Sequence, residues 1–176
     1  MVWGLFPLLL ASKGFDLNDI GIIVAAYPAV WGIGQLYTGK LADQYCKKTL
    51  LFRGMFLQGI AILGMIWANS FTSFVILSSL LGIGTAIVYP TFLAAVSDYT
   101  HPDQRPKSIG IFRLWRDMGY AIGAILTGLI ADRFGLIAPV VAIGLLTILS
   151  SLIVRFRMSC TNKIIACPAP LELSVQ

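Results

Sequence analysis

The sequence predicts an all-α integral membrane protein with six transmembrane helices, the first of them truncated. Hydrophobic residues make up 57% of the 176 residues and charged residues 12%, whereas soluble domains average roughly 25% charged residues. The mean hydropathy is +0.83. Long uncharged stretches alternate with short basic clusters, and this alternation is typical of a chain that crosses a bilayer repeatedly.

Five segments are long and apolar enough to cross a hydrocarbon core about 30 Å thick, which takes about 20 residues. They are residues 20–39, 50–69, 74–97, 109–131 and 136–154. Polar residues at 69–73 supply the turn between the second and third of these segments. A further apolar segment at residues 1–11 reaches only about 17 Å as a helix. We therefore expect the sequence to lack the beginning of this first span.

The basic residues predict the orientation of the chain. Because lysine and arginine favour the cytoplasmic loops, the connections that hold most of them are placed inside the cell. The outer connections hold only Lys13 and Arg133. The inner ones hold Lys40, Lys47, Lys48, Arg105, Lys107, Arg155, Arg157 and Lys163. This bias predicts a multi-pass protein of the cell membrane, plasma or inner, with both termini in the cytoplasm.

Residues 159–176 differ from the rest of the chain. They are more polar, contain Pro168 and Pro170, and show no helical period. We expect a disordered cytoplasmic tail here. Residues 1–158 then form one membrane domain.

If the truncated segment is counted as the first span, residues 20–39 and 50–69 are the second and third. The connection between them reads Gly39-Lys40-Leu41-Ala42-Asp43-Gln44-Tyr45-Cys46-Lys47-Lys48. It resembles the signature loop of the major facilitator superfamily, G-x-L-a-D-r-x-G-r-r, but carries Gln44 and Cys46 where the pattern has a basic residue and a glycine. The resemblance implies a role in conformational switching for Gly39, Leu41, Asp43, Lys47 and Lys48. A solvated loop with no role beyond orientation is the alternative.

A charged face marks the fifth span. Arg113, Arg116 and Asp117 are three and four residues apart, so they lie on roughly one side of a helix. Charges inside a span point to a functional site by default, and the alternative is an ion pair that only stabilises the helix end. Two positive charges against one negative need a further partner. We expect Asp98, which ends the preceding span, rather than Asp43, or else an anionic solute.

Small residues indicate close helix packing in the fifth span. Gly119, Gly123 and Thr127 recur at intervals of four, and Gly128 follows, a pattern that lets helices approach closely in membranes. Pro106 stands near the start of this span and is expected to interrupt it. Polar and aromatic side chains at mid-membrane depth are candidates for a solute cavity that would suit a semi-polar organic molecule, and the alternative is that the aromatic ones are packing or interface residues. These side chains are Tyr27, Trp31, Gln35, Gln58, Tyr89 and Trp115.

Other function classes find little support. The only histidine, His101, lies in a loop beside Pro102, and the sequence contains no G-x-S-x-G, H-E-x-x-H or P-loop pattern. The three cysteines form no C-x-x-C pair. We therefore expect no enzyme activity, no cofactor and no metal site. The cations fall in separate loops without a continuous basic stripe, so nucleic acid is not an expected partner.

The resemblance to the superfamily extends over residues 1–158, where the order of motifs looks like helices seven to twelve of a twelve-helix transporter. It implies a secondary transporter half that moves a small solute by alternating access. Its partners would be the lipid bilayer, the solute and a second six-helix half, either missing from this sequence or supplied by another subunit. A non-transporting membrane interaction protein or an inactive remnant is the alternative.

Overall fold

The computed structural model describes residues 2–98 and 100–158, apart from the side chains of residues 2, 3, 42 and 43. Over these residues it is all-α, as predicted, and contains no strand. Its six α-helices are α1 Val2–Ser12, α2 Leu17–Gln44, α3 Lys47–Trp67, α4 Phe71–Asp98, α5 Arg105–Phe134 and α6 Ile137–Arg157, and a short 3-10 helix, Pro102–Gln104, precedes α5. The predicted tail, residues 159–176, lies outside the described part of the chain.

Four of these helices are long and apolar enough to cross a membrane, namely α2 over Leu17–Leu41, α3, α4 and α6. Helix α1 has 11 residues and is too short. Helix α5 has 30 residues, which gives about 45 Å of helix, but its charges near mid-length make it less apolar than the others. Six helices are therefore present in the described chain, while the crossing of the bilayer by all six stays a prediction.

The helices pack in the spatial order α2, α4, α3, α6. Helix α3 lies between α4 and α6, and α4 also packs along α2. The short helix α1 contributes the buried residues Phe6, Leu9 and Leu10 to the core, whereas α5 makes fewer contacts and lies at the margin. The buried residues of α5 are only Gly123 and Thr127, so within the described chain most of this helix remains uncovered.

Glycines set the close spacing of the packed helices. A Cβ atom added at Gly82 of α4 would lie 2.8 Å from the carbonyl oxygen of Tyr27 on α2. One added at Gly84 would lie 2.9 Å from the carbonyl oxygen of Gly54 on α3. Main-chain atoms cannot yield as the tip of a side chain can, so a larger residue at either position would separate the helices.

A lysine joins two helix connections at one end of the bundle. Lys13, between α1 and α2, donates hydrogen bonds from Nζ to the carbonyl oxygens of Ala68 and Ile66 and, at 3.2 Å, to Oδ1 of Asn69. Ile66 lies in the last turn of α3 and Ala68 is its C-cap residue, where no helical N–H remains to bond the carbonyls. Lys13 Nζ also lies 5.3 Å from the ring centroid of the buried Phe74.

A second lysine links two helix ends at the opposite end of the bundle. Lys47, the first residue of α3, forms an ion pair with Asp98, the last residue of α4, and lies 3.5 Å from the carbonyl oxygen of Ala94. The cations predicted to face the cytoplasm, as far as residue 157, belong to connections and helix termini at this end. We call it the basic end. Which end faces the cytoplasm stays a prediction.

Prolines within the helices were not anticipated as structural features. Pro28 of α2 and Pro90 of α4 lie inside their helices, away from both ends, and each removes one helical hydrogen bond because proline has no N–H. Pro106, by contrast, is the second residue of α5, and the helix runs on without a break. The expected interruption was wrong because the first turn of a helix has no hydrogen bond for proline to remove.

Candidate functional site

The segment that resembles the signature loop is mostly helical. Helix α2 continues to Gln44 and α3 begins at Lys47, so only Tyr45 and Cys46 connect them. Gly39 and Leu41 therefore lie in the last two turns of α2 rather than in a loop. The side chain of Asp43 lies outside the described part of the structure, and the switching role of this segment stays a prediction.

Three aromatic rings form a cluster between α2 and α4. Tyr27 and Trp31, one turn apart on α2, stack with ring centroids 6.1 Å apart. Tyr89 of α4 meets Trp31 edge to face at 6.2 Å. The indole Nε1 of Trp31 is buried and has no hydrogen-bond partner among the described residues. A buried donor of this kind costs free energy unless it finds an acceptor, so the cluster offers one unused N–H.

An arginine of α5 joins this cluster. Arg116 donates from Nη1 to the hydroxyl of Tyr89 at 3.1 Å, and its Cζ lies 5.6 Å from the centroid of the same ring. Its Nε donates to Oδ1 of Asp117 at 2.9 Å. Asp117 thus pairs with its neighbour in sequence rather than with Arg113, one turn earlier. Arg113 is exposed and has no ion pair within the described chain.

The expected pairing of Asp98 with this arginine face is not what the described residues show, since Asp98 pairs with Lys47. The reason is position along the helix axes. Arg116 lies eleven residues into α5, about 17 Å from its start, whereas Asp98 ends α4 and lies beside the first turn of α3. The arginine face and Asp98 are therefore at different depths.

A polar contact links α3 to α4 close to the aromatic cluster. Gln58 donates from Nε2 to Thr85 Oγ1 at 2.8 Å, and Thr85 donates to the carbonyl oxygen of Leu81, also at 2.8 Å. Thr85 was not among the predicted site residues. The sequence does carry a signal for it, because it lies one turn before Tyr89 on the same face of an otherwise apolar span.

The other predicted residues lie apart from these contacts. Gln35 is half-buried on α2, one turn after Trp31, whereas Trp115 is 72% exposed. Gly123 is buried, but a Cβ added at Gly119 or Gly128 would meet no described atom within 4 Å. A packing role for these two glycines thus requires a neighbour beyond the described chain, and it stays a prediction.

The site combines one guanidinium group, two phenol rings and an indole with an unused donor. Arg116 forms its ion pair through Nε and bonds Tyr89 through one N–H of Nη1, which leaves the second N–H of Nη1 and both of Nη2 as donors. Guanidinium groups bind carboxylates through parallel hydrogen bonds, and aromatic faces pack against flat organic groups. The arrangement is therefore chemically suited to hold a small organic anion. The described residues contain no cluster of His, Cys, Asp or Glu that could hold a metal ion.

Comparison with known proteins gives consistent matches. A family model described as Major Facilitator Superfamily matches residues 1–170. An uncharacterised MFS-type transporter of Methanocaldococcus jannaschii is 29% identical over 80% of this chain and 36% of its own length. The 4-hydroxybenzoate transporter of Pseudomonas aeruginosa is 26% identical over 86% of this chain and 34% of its own length. A probable L-galactonate transporter of Escherichia coli is 27% identical over 77% of this chain and 30% of its own length.

Proposed function

The chain belongs to the Major Facilitator Superfamily, and we propose that it acts as one six-helix half of a secondary transporter that moves a small solute by alternating access. It spans about a third of the length of the relatives described above, so a second six-helix unit is part of the proposal. The uncovered surface of α5 supports this, because a long helix with few buried residues leaves room for a partner.

The observation that carries the proposal is the cluster of Trp31, Tyr89 and Arg116. Trp31 lies near the middle of α2, while Tyr89 and Arg116 lie about a third of a helix length from the basic ends of α4 and α5, so all three lie within the membrane if the three helices cross the bilayer. A charge at that depth is costly and is typical of a solute or ion pathway. In transporters of this kind the solute site lies near the bilayer midplane between two repeats.

We propose a small organic carboxylate as the solute class. Asp117 neutralises Arg116, whereas Arg113, one turn earlier on the same helix, has no ion pair among the described residues, so this part of α5 carries an excess positive charge. Tyr27, Trp31 and Tyr89 supply aromatic surface beside it. Two relatives are named for 4-hydroxybenzoate and L-galactonate, both of which are organic acids that are ionised at neutral pH.

We further propose that the segment from Gly39 to Lys48 takes part in switching, with the basic end in the cytoplasm. Lys47 belongs to this segment and holds the end of α4 through Asp98. The next described residues after α4 lead into α5, so movement at this contact would reach the helix that carries Arg116. The segregation of cations to one end supports the orientation.

A binding experiment tests the proposed solute class. The purified full chain is titrated with 4-hydroxybenzoate and with the neutral 4-hydroxybenzamide, and binding is followed calorimetrically. We expect the acid to bind at least tenfold more tightly, and Arg116→Gln to remove this preference. The matched control is Arg133→Gln, an exposed arginine at the far end of α5, which should leave it unchanged. Equal binding of acid and amide would contradict the proposal.

A second test concerns the partner. The DNA that flanks the coding sequence should encode another six-helix unit of the same superfamily, either in frame or as a separate subunit. Co-expression of that unit with this chain should yield a complex that transports the acid. Absence of any such unit would favour the alternative, an inactive remnant or an interaction protein.

A further inference from the structure

We propose that a groove between α3 and α6 at the basic end binds the headgroup phosphate of an anionic membrane phospholipid. The groove encloses about 440 Å³. It is formed where the first two turns of α3 meet the last turn of α6. Its lining is Lys48, Thr49, Phe52, Arg53, Arg155 and Phe156.

All the charged residues that line the groove are positive. Three of its six lining residues are cations, contributed by two helices, and none is acidic. Within the described chain, none of Lys48, Arg53 and Arg155 forms an ion pair. The adjacent Lys47 differs, because Asp98 neutralises it. The positive charge of the groove is thus uncompensated among the described residues, which is the condition for binding an anion.

An aromatic contact holds one of the cations in place. Arg155 Cζ lies 4.8 Å from the ring centroid of Phe52, and Phe52 stacks on Phe56 with centroids 5.7 Å apart. The guanidinium of α6 is therefore fixed over the surface of α3 rather than free in solvent. Such fixation reduces the entropy lost when a phosphate binds.

The surface next to the groove identifies the ligand as a lipid. On the side of the groove that faces away from the basic end, Phe56 and Ile60 of α3 are exposed. Leu152 and Leu149 of α6 are exposed there as well. An anion with acyl chains would place its phosphate among the cations and its chains along this apolar surface. A soluble phosphate would make no use of it. Basic pockets between transmembrane helices on the cytoplasmic side are suited to anionic headgroups.

The proposed lipid site is separate from the proposed solute site. The groove involves α3 and α6, whereas Trp31, Tyr89 and Arg116 belong to α2, α4 and α5. The inference requires only that the chain lies in a bilayer. The test of the lipid site therefore does not depend on which solute is transported.

Native mass spectrometry of the full chain in mild detergent tests the proposal. Dioleoyl phosphatidylglycerol is titrated against dioleoyl phosphatidylcholine, and bound lipid is counted. We expect the anionic lipid to bind at least tenfold more tightly, and each of Arg53→Gln and Arg155→Gln to weaken it about fivefold. Arg157→Gln is the matched control, because Arg157 lies in the same last turn of α6 but does not line the groove. It should change binding less than twofold.

Two results would overturn the inference. The first is equal binding of both lipids, or unchanged binding in the Arg53→Gln and Arg155→Gln variants. The second is full displacement of the anionic lipid by an equal concentration of glycerol 1-phosphate or inorganic phosphate, which would reveal a site for a soluble anion. Because Arg53 is exposed, its substitution should leave the fold intact, so a folding failure of another variant does not obscure the outcome.

Discussion

Thr38 on α2 donates a hydrogen bond of 2.6 Å from Oγ1 to the carbonyl oxygen of Ala86 on α4. Four residues after Ala86 stands Pro90, which has no N–H to offer that carbonyl. The α2 hydroxyl thus replaces the helical donor that proline removes. The helices approach closely here, since a Cβ added at Gly34 would lie 2.7 Å from the Cβ of Ala86.

Thr38→Val should therefore destabilise the protein by about 1–2 kcal/mol, because the buried carbonyl of Ala86 loses its donor. In a Pro90→Ala background the same change should cost clearly less, since residue 90 then supplies an N–H. Unfolding in mixed detergent micelles measures the four free energies of this double-mutant cycle.

Thr147→Val provides the control, because the Thr147 hydroxyl bonds only the Ile143 carbonyl of its own helix. It should change the free energy of unfolding by less than Thr38→Val does. If Thr38→Val costs the same with and without Pro90, the hydroxyl does not compensate for the proline.

The second prediction concerns the lysine at the end opposite the basic end. Lys13→Met keeps the length of the side chain but removes three hydrogen bonds to residues 66–69. We expect a loss of about 1.5–3 kcal/mol, the range for a hydrogen bond to a charged group, measured as a lowered midpoint of thermal unfolding in detergent. Lys107→Met, at an exposed position in the first turn of α5, should have no such effect. Equal midpoints for the two variants would show that Lys13 is dispensable.

How far the sequence predicts this structure depends on the property concerned. Hydropathy located all six helices, because each contains an apolar stretch that polar or charged residues separate from the next one. It placed the end of α2 at residue 39 rather than at Gln44, because a helix can continue beyond the hydrocarbon core, where hydropathy carries no information. Hydropathy therefore gives the length of the membrane-spanning part of a helix, not the length of the whole helix.

Contacts between helices were harder to predict than the helices. The Thr38 bond to Ala86 depends on how α2 and α4 are rotated about their axes, and no period in either segment fixes that rotation. The partner of Asp98 was mispredicted for a related reason. The prediction relied on the closeness of Asp98 to α5 in the sequence and did not consider its depth along the helix axis. The aromatic residues at positions 27, 31 and 89 were selected by depth, and they do lie together.

The third prediction is the orientation. In a chain whose native cysteines are replaced, single cysteines at positions 47 and 105 should react with a membrane-impermeant reagent only from the cytoplasmic side. Single cysteines at positions 13 and 133 should react only from outside. Labelling of positions 13 and 47 from the same side would be incompatible with the proposed topology.

The fourth prediction concerns the ion pair between Lys47 and Asp98. In the complete transporter, Lys47→Gln and Asp98→Asn should each reduce transport several-fold while membrane abundance stays near normal, since both side chains are partly exposed. The exchanged pair, Lys47→Asp with Asp98→Lys, should recover part of the activity. Asp103→Asn, in the exposed turn before α5, is the control. Equal losses of abundance and transport would instead indicate a structural role only.

The fifth prediction separates a binding role of Arg116 from a structural one by the sign of an effect. Asp117 occupies the Nε donor of Arg116, so under the proposed function it competes with a solute carboxylate. Asp117→Asn should then tighten binding of 4-hydroxybenzoate several-fold. Because the side chains of Arg116 and Asp117 are 30% and 60% exposed, the loss of stability should stay near 1 kcal/mol or below.

If Arg116 serves only to hold α5 against Tyr89, the same substitution should lower stability and leave binding unchanged or weaker. Calorimetric titration and thermal unfolding of one protein preparation distinguish the two outcomes. Asp132→Asn is the matched control, since it removes one negative charge from the far end of the same helix, where the residue is exposed. A rise in affinity in Asp117→Asn, but not in Asp132→Asn, would locate the effect at Arg116 rather than in the overall charge of α5.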